Sequence, residues 1–303
     1  MNPFGVGMAH GKIIWFGEHA VVYHHPAIAL PLNEHRIHIK MDPSSTTELI
    51  SPFFNGPLET SGFEGLIALM KRLREILPLG DVTIELRSDI PVGAGLGASA
   101  AIASAIVSAA FDLTDQPLDA GTHFELIQLS ESYFHTNPSG IDAYLSIHDH
   151  ALRYRKDQSP DPIDIDLDAH LVVAYSNVKG STKEAVEIIA DQMNVKKASK
   201  LVADLGHITL GALEAIQAKS LHVLGRLMNE AHALLKRLGV SHATLDALTK
   251  RALESGALGA KLSGGGLGGI MIALFDDKTR ALSFQTSLQN DGFSHVFIKG
   301  LSA

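Results

Sequence analysis

Apolar and polar residues change period several times along this chain, and each change marks an element. His35–Met41 (HRIHIKM) and Val82–Leu86 alternate as half-buried strands do. Lys12–Phe16 is β-branched and aromatic and also reads as a strand. Phe63–Leu77 places apolar residues at helical spacing, and Thr122–Glu131 is a further helix. Ala98–Phe111 is a helix built of small residues, so something must approach its backbone closely. Ala151–Arg155 and His170–Ser176 read as strands, separated by an Asp/Pro/Ser-rich linker or surface excursion, Lys156–Asp168. Long helical patterns follow at Thr182–Gln192, Leu210–Leu238 and Ala243–Ser255. A strand (Ile270–Phe275), a helix (Lys278–Leu288) and a strand (Phe293–Lys299) complete the pattern. No repeat is visible. The expected class is α+β in two parts, the second rich in helix.

Composition narrows the function. The 303 residues suit about two domains of roughly 150. The charge is 25 − 33 = −8 with histidine neutral, a surface that repels phosphate polymers, so no nucleic-acid partner is expected. There is no cysteine, which excludes a disulfide scaffold, a thiol nucleophile and a zinc–cysteine site and fits a cytoplasmic location. No signal-peptide pattern opens the chain. The most membrane-like window, Gly97–Phe111, is too short to span a bilayer, so no membrane role is expected. His24-His25 and His148-Asp149-His150 read as surface turns rather than metal sites.

Two glycine clusters carry the candidate chemistry. Pro91-Val92-Gly93-Ala94-Gly95-Leu96-Gly97-Ala98-Ser99 joins a strand to a helix. Alternating glycines allow positive φ and close approach of backbone N–H groups, and the following helix start adds unpaired donors and a positive dipole end. A P-loop would end in Gly-Lys-Ser/Thr, and this loop has no lysine. Gly93, Gly95 and Ala98 satisfy a dinucleotide fingerprint literally. Yet the residues that follow, Phe111 to Pro117, read as turn-like rather than as a strand ending in an acid. The loop is therefore either a phosphate cradle or a tight turn kept small for packing. The second cluster, Lys261-Leu262-Ser263-Gly264-Gly265-Gly266-Leu267-Gly268-Gly269, is either a flexible linker or a loop closing over a substrate. The strand it enters favours the latter.

In order along the chain, these segments resemble the GHMP kinase family. Gly11–Tyr23 (GKIIWFGEHAVVY) followed by Pro26–Ala29 is similar to its first motif, in the form of the mevalonate-phosphorylating branch. The 91–101 loop is similar to the second motif and 261–269 to the third. Glu131 with His135–Asp142 (HTNPSGID), Gly180–Glu184, and Asn229–Leu248 around LGVSHATLD are further matches. The resemblance runs from residue 11 to 269. It implies a two-domain GHMP kinase fold: residues 1–170 as a ribosomal protein S5 domain 2-like N-terminal, ATP-binding domain, residues 171–303 as a ferredoxin-like C-terminal domain, and a site in the cleft between them.

The resemblance also assigns roles. Asp142 takes or orients the proton of the attacking alcohol, and Lys12 beside it stabilises charge on the transferred group. Pro91, Gly93, Ala94, Gly95, Leu96, Gly97, Ala98 and Ser99 cradle ATP. Ser99 and Glu131 hold Mg²⁺. Glu18, His19, Thr182 and Gly265 serve a mevalonate-like alcohol. A homodimer is a further expectation. Taken singly, each residue has a plainer reading: Asp142 a turn residue, Lys12 a solvated edge charge, Glu131 an exposed helix end, His19 a core histidine, Ser99 an ordinary first-turn residue, Thr182 part of a helix start. The sequence departs from the family at His10 (usually Pro), Ala98 (Ser), Thr136 (Gly), Ser176-Asn177-Val178 (Asp-Thr-Gly), Ser263 (Thr) and Gly265 (Ala). Rival readings are a sibling kinase for phosphomevalonate, homoserine or a sugar, a decarboxylase, and a non-catalytic ligand sensor. The GEHAVVY segment disfavours the decarboxylase, and the presence of both Lys12 and Asp142 disfavours the sensor.

Overall fold

The computed structural model describes residues 2–91, 93–133, 140–156, 158–194 and 196–302, and of Lys196 the backbone alone. Two compact units account for the chain. The first takes residues 2–12, 31–91, 97–133 and 140–149, and the second 13–30, 93–96, 150–156, 158–194 and 196–302. Two strands, β1 (Gly5–Phe16) and β2 (Ala27–Pro43), pass from one unit into the other.

The first unit continues with β3 (Glu48–Ser51), β4 (Phe54–Pro57), α1 (Glu64–Ile76), β5 (Val82–Ser88), α2 (Ala98–Thr114), α3 (Ala120–Glu131) and the five-residue α4 (Ile141–Leu145). Its strands run in the order β4-β3-β5-β2, and β1 also pairs with β2. β2 and β5 are antiparallel, and Ile39↔Leu86 and Met41↔Ile84 face each other across the ladder. That register follows from the alternation at 35–41 and 82–86, because one buried row must meet another. The β3–β4 hairpin is an element the hydrophobic pattern does not mark. Its turn is tied by Ser51 Oγ, which accepts from Phe54 N–H at 2.9 Å.

The small-residue helix has a structural explanation. Cβ atoms built on Gly5 and Gly7 of β1 would lie 2.1 Å from Ala109 O and 1.9 Å from Ala105 O of α2. Strand and helix backbones are in direct contact, which requires glycine on one side and alanine on the other.

The second unit carries β6 (Leu152–Tyr154), β7 (Asp161–Pro162), β8 (His170–Tyr175), α5 (Thr182–Gln192), α6 (Lys196–Gln217), α7 (Leu221–Arg237), α8 (Ala243–Glu254), β9 (Gly259–Ser263), β10 (Ile270–Phe275), α9 (Lys278–Asn290) and β11 (Val296–Gly300). An antiparallel sheet in the order β11-β8-β10-β9 forms its centre. Met271, Ala273 and Phe275 of β10 join Val172 and Ala174 of β8, Leu262 of β9 and residues of α5–α9 in one core. All of β10 is buried, which explains why it reads as a continuous apolar run instead of alternating.

The single helical pattern at Leu210–Leu238 is two helices. Lys219 takes φ +50 and Ser220 starts α7, yet the apolar period continues across the break because both helices bury a face. Among the described residues no helix is long and apolar enough to cross a membrane.

Candidate active site

In the first unit the sequence-predicted residues converge. Lys12, on β1, points its Nζ to Asp142 Oδ1 at 3.2 Å. It is not the solvated edge charge of the plainer reading: its side chain is 7% exposed, while that of Asp142 is 29% exposed. Asp142 sits in the first turn of α4, behind Gly140 at φ +84. Gly97 makes room for the pair. A Cβ there would lie 3.0 Å from Lys12 Cγ and 3.7 Å from Asp142 Oδ2, and its φ of +73 is itself suited to glycine. Ser99 stands in the first turn of α2 and its side chain is hydrogen-bonded to the Glu131 carboxylate at the end of α3. Glu131 is buried, against the expectation of an exposed helix end. Desolvation first, and then the nearby Asp142 charge, push its pKa up to about 7. Of the His135–Asp142 run, Gly140, Ile141 and Asp142 are described, and His135 to Ser139 lie outside the described residues, as does Val92 of the first glycine loop.

That loop has a regular logic. Gly93, Gly95 and Gly97 all take positive φ and are half-exposed, whereas Ala94 and Leu96 between them, and Ala98 just after, are buried. Pro91 is half-buried at its entrance. Three apolar anchors therefore fix a backbone whose glycines remain reachable.

The second unit gathers most of the residues assigned to the acceptor. His19 takes φ +60, and its Nε2–H donates to Gly265 O at 2.9 Å. A carbonyl only accepts, so the proton is on Nε2. Burial lowers the His19 pKa to about 4, against the opposing hydrogen bond, so the ring is neutral at pH 7. A Cβ on Gly265 would lie 2.7 Å from Thr182 Cα, so the first residue of α5 packs on the same glycine. Thr182 itself is exposed.

Glu18 is turned elsewhere. Its Oε1 accepts from Lys261 Nζ, with the two side chains 1% and 0% exposed. Lys261 Nζ also donates to Leu262 O at 2.8 Å, and burial draws the Lys261 pKa downward against the pull of Glu18. The sequence places Lys261 within the third glycine-rich motif and assigns it no role. No local pattern marks it, because its partner Glu18 lies 243 residues away along the chain.

The second glycine loop is a packed turn rather than a linker. Cβ atoms on Gly266 and Gly268 would lie 2.0 Å from Val240 O and 2.6 Å from Val178 O. Ser263 Oγ, just ahead of it, accepts from Ile14 N–H at 3.1 Å and donates to Ile14 O at 2.7 Å, pinning β9 to β1. Among the described residues no group of three His, Cys, Asp or Glu side chains could hold a metal ion by itself.

Comparison with known proteins gives a consistent result. The model of the GHMP kinases N-terminal domain matches residues 64–150, and that of the GHMP kinases C-terminal domain matches residues 212–294. The mevalonate kinase of Thermococcus sibiricus is 34% identical over 299 residues, covering 89% of each chain. That of Pyrococcus abyssi is 32% identical, covering 91% of this chain and 90% of its own. Among solved structures, L. major mevalonate kinase in complex with R-mevalonate superposes with a TM-score of 0.84 at 25% identity, over 99% of this chain and 97% of that one.

Proposed function

The chain belongs to the GHMP kinase family, and from that membership we infer that it is a mevalonate kinase, transferring the γ-phosphoryl group of ATP to the primary hydroxyl of mevalonate. The observation that carries the reading is the Lys12–Asp142 pair, held against the glycine that starts α2. Asp142 accepts or holds the hydroxyl proton as that oxygen bonds to the γ-phosphorus and the bond to the β-phosphate oxygen breaks. ADP and 5-phosphomevalonate result. Lys12 offsets the negative charge that Asp142 and the phosphoryl oxygens bring together. The N–H groups of residues 93–97 and the start of α2 receive the phosphates, with Pro91 and Ala98 flanking them and Ala94 and Leu96 anchoring the loop.

The donor set fits Mg²⁺. Ser99 and Glu131 offer hard oxygens, and the raised pKa of Glu131 is what a buried carboxylate shows when it stands near another carboxylate. Mg²⁺ bound by Ser99 and Glu131 would neutralise phosphate charge. His19, Gly265 and Thr182 form the acceptor contacts, with Glu18 behind them. Neutral His19 orients rather than attracts charge.

Two measurements test this. Asp142→Ala is expected to keep ATP binding while turnover falls by about a hundredfold or more, the lower end of general-base effects. Turnover close to that of the parent would remove Asp142 from its role. A panel of acceptors should show turnover with mevalonate and not with phosphomevalonate, homoserine or hexoses, and the reverse preference would move the chain to a sibling activity.

A further inference from the structure

Three loops of the second unit interlock: residues 93–96, 176–180 and 264–269. Gly269 N–H donates to Val178 O at 2.8 Å, and Ser176 N–H donates to Gly269 O at 2.9 Å. A Cβ on Gly268 would lie 3.0 Å from Lys179 C, and one on Gly180 would lie 2.8 Å from Gly266 O. Inside the 176–180 segment the chain turns at Asn177, with φ +58, and Asn177 Nδ2 donates to Gly292 O at 3.1 Å. The backbone of Lys179 is therefore fixed on several sides, although its side chain is exposed.

That side chain lies along the first glycine of the phosphate-type loop. A Cβ on Gly93 would meet Lys179 Cε at 3.4 Å, Cγ at 3.7 Å and Cδ at 3.8 Å. Among the described residues the Lys179 ammonium has no carboxylate or hydrogen-bond partner. Next along the loop, Gly95 has open space where a side chain would be. The loop itself carries no lysine, unlike a P-loop, whose terminal lysine reaches the outer phosphates. Lys12 is already paired with Asp142. A cradle of backbone N–H groups facing a polyphosphate needs a mobile positive charge nearby, and a lysine with its stem seated on the loop and its head free provides one.

We propose that Lys179 is a phosphate-binding residue of the nucleotide site, supplying from a separate loop the ammonium that the 91–99 sequence omits. This rests on the reading of residues 93–97 as the ATP cradle.

The test is calorimetric titration of the wild-type chain, Lys179→Met and Lys179→Arg with a non-hydrolysable ATP analogue and, separately, adenosine. Methionine keeps an apolar stem on Gly93 and removes the charge. Lys179→Met is expected to weaken the analogue about ten- to a hundredfold, the size of one charge-assisted hydrogen bond, and to leave adenosine binding unchanged. Arginine should restore most of the affinity, and the deficit of the methionine variant should shrink as salt is raised. The melting temperature without ligand should stay that of the wild type, because the side chain is exposed.

Equal affinity of wild type and Lys179→Met for the analogue would overturn the assignment. So would an equal loss for analogue and adenosine, which would make Lys179 a support for loop shape. A rise in the mevalonate KM with analogue binding intact would overturn it too, giving the ammonium to the acceptor. A wild-type chain that binds no ATP analogue would instead overturn the cradle reading itself.

Discussion

Lys12–Asp142 and Lys261–Glu18 are the same chemical pair in two settings. In the first, Asp142 keeps 29% of its side chain exposed, on a helix of five residues. In the second, neither side chain is more than 1% exposed, and the lysine spends a further hydrogen bond on Leu262 O. A carboxylate that must exchange a proton or meet a substrate has to stay reachable. A carboxylate that fixes backbone geometry gains from complete burial, because nothing then competes with its partner. The contrast separates a pair suited to chemistry from one suited to holding the GEHAVVY segment in shape. It also shows that an ion pair's worth depends on its surroundings more than on its members.

The largest break in that comparison is Lys261→Met. It strands the Glu18 charge in a closed interior and should cost about 3–5 kcal/mol of stability in urea unfolding. The double variant Glu18→Gln/Lys261→Met should recover much of that loss, whereas Lys12→Met should cost far less because Asp142 keeps contact with water. A full-size loss on Lys12→Met would erase the distinction.

Acidification acts on the buried side next. The His19 pKa is lowered to about 4 in the folded chain from 6.5, so the unfolded chain takes up a proton that the folded chain refuses. Its stabilising contribution is complete above pH 6.5 and is lost as pH falls toward 4, on the order of 3 kcal/mol at most. Buried His123 and half-buried His232, also shifted downward by desolvation, act in the same direction. His19→Gln should flatten the acid limb of the unfolding curve, and an unchanged slope would contradict a neutral buried ring.

The smallest effect sharpens the reachable side. Burial and the neighbouring Asp142 raise the Glu131 pKa to about 7, so on the proposed reading protons would compete with Mg²⁺ for it below that value. The apparent Mg²⁺ affinity in the kinase assay should fall about tenfold per pH unit below 7 and level off above it. Glu131→Gln should bind Mg²⁺ weakly at every pH. A profile that stays flat in the unaltered enzyme would remove Glu131 from the metal site.

The residues proposed for the reachable site come from compact motifs whose local pattern is itself the signal. Gly93, Gly95 and Gly97 announce a strand-to-helix turn, and the structure makes all three positive in φ. The buried pair was not legible. Lys261 and Glu18 are 243 residues apart, so no local pattern joins them: the sequence assigns Glu18 to the acceptor and Lys261 to no role. β9 was hidden for a related reason: its five buried residues, Gly259-Ala260-Lys261-Leu262-Ser263, lack the β-branched character that marks a strand. At Leu210–Leu238 the pattern was accurate about burial and silent about the break, since a single residue at positive φ leaves no trace in hydrophobic period.

The contact between β1 and α2 has a consequence for how this enzyme fails. Gly7 precedes Lys12 by five residues, roughly 17 Å along a strand. Any bulkier residue at 5 or 7 would wedge the strand off its supporting helix and carry the lysine out of register with the carboxylate. Two chemically inert glycines, far along the strand from the lysine, are thus expected to tolerate no side chain at all.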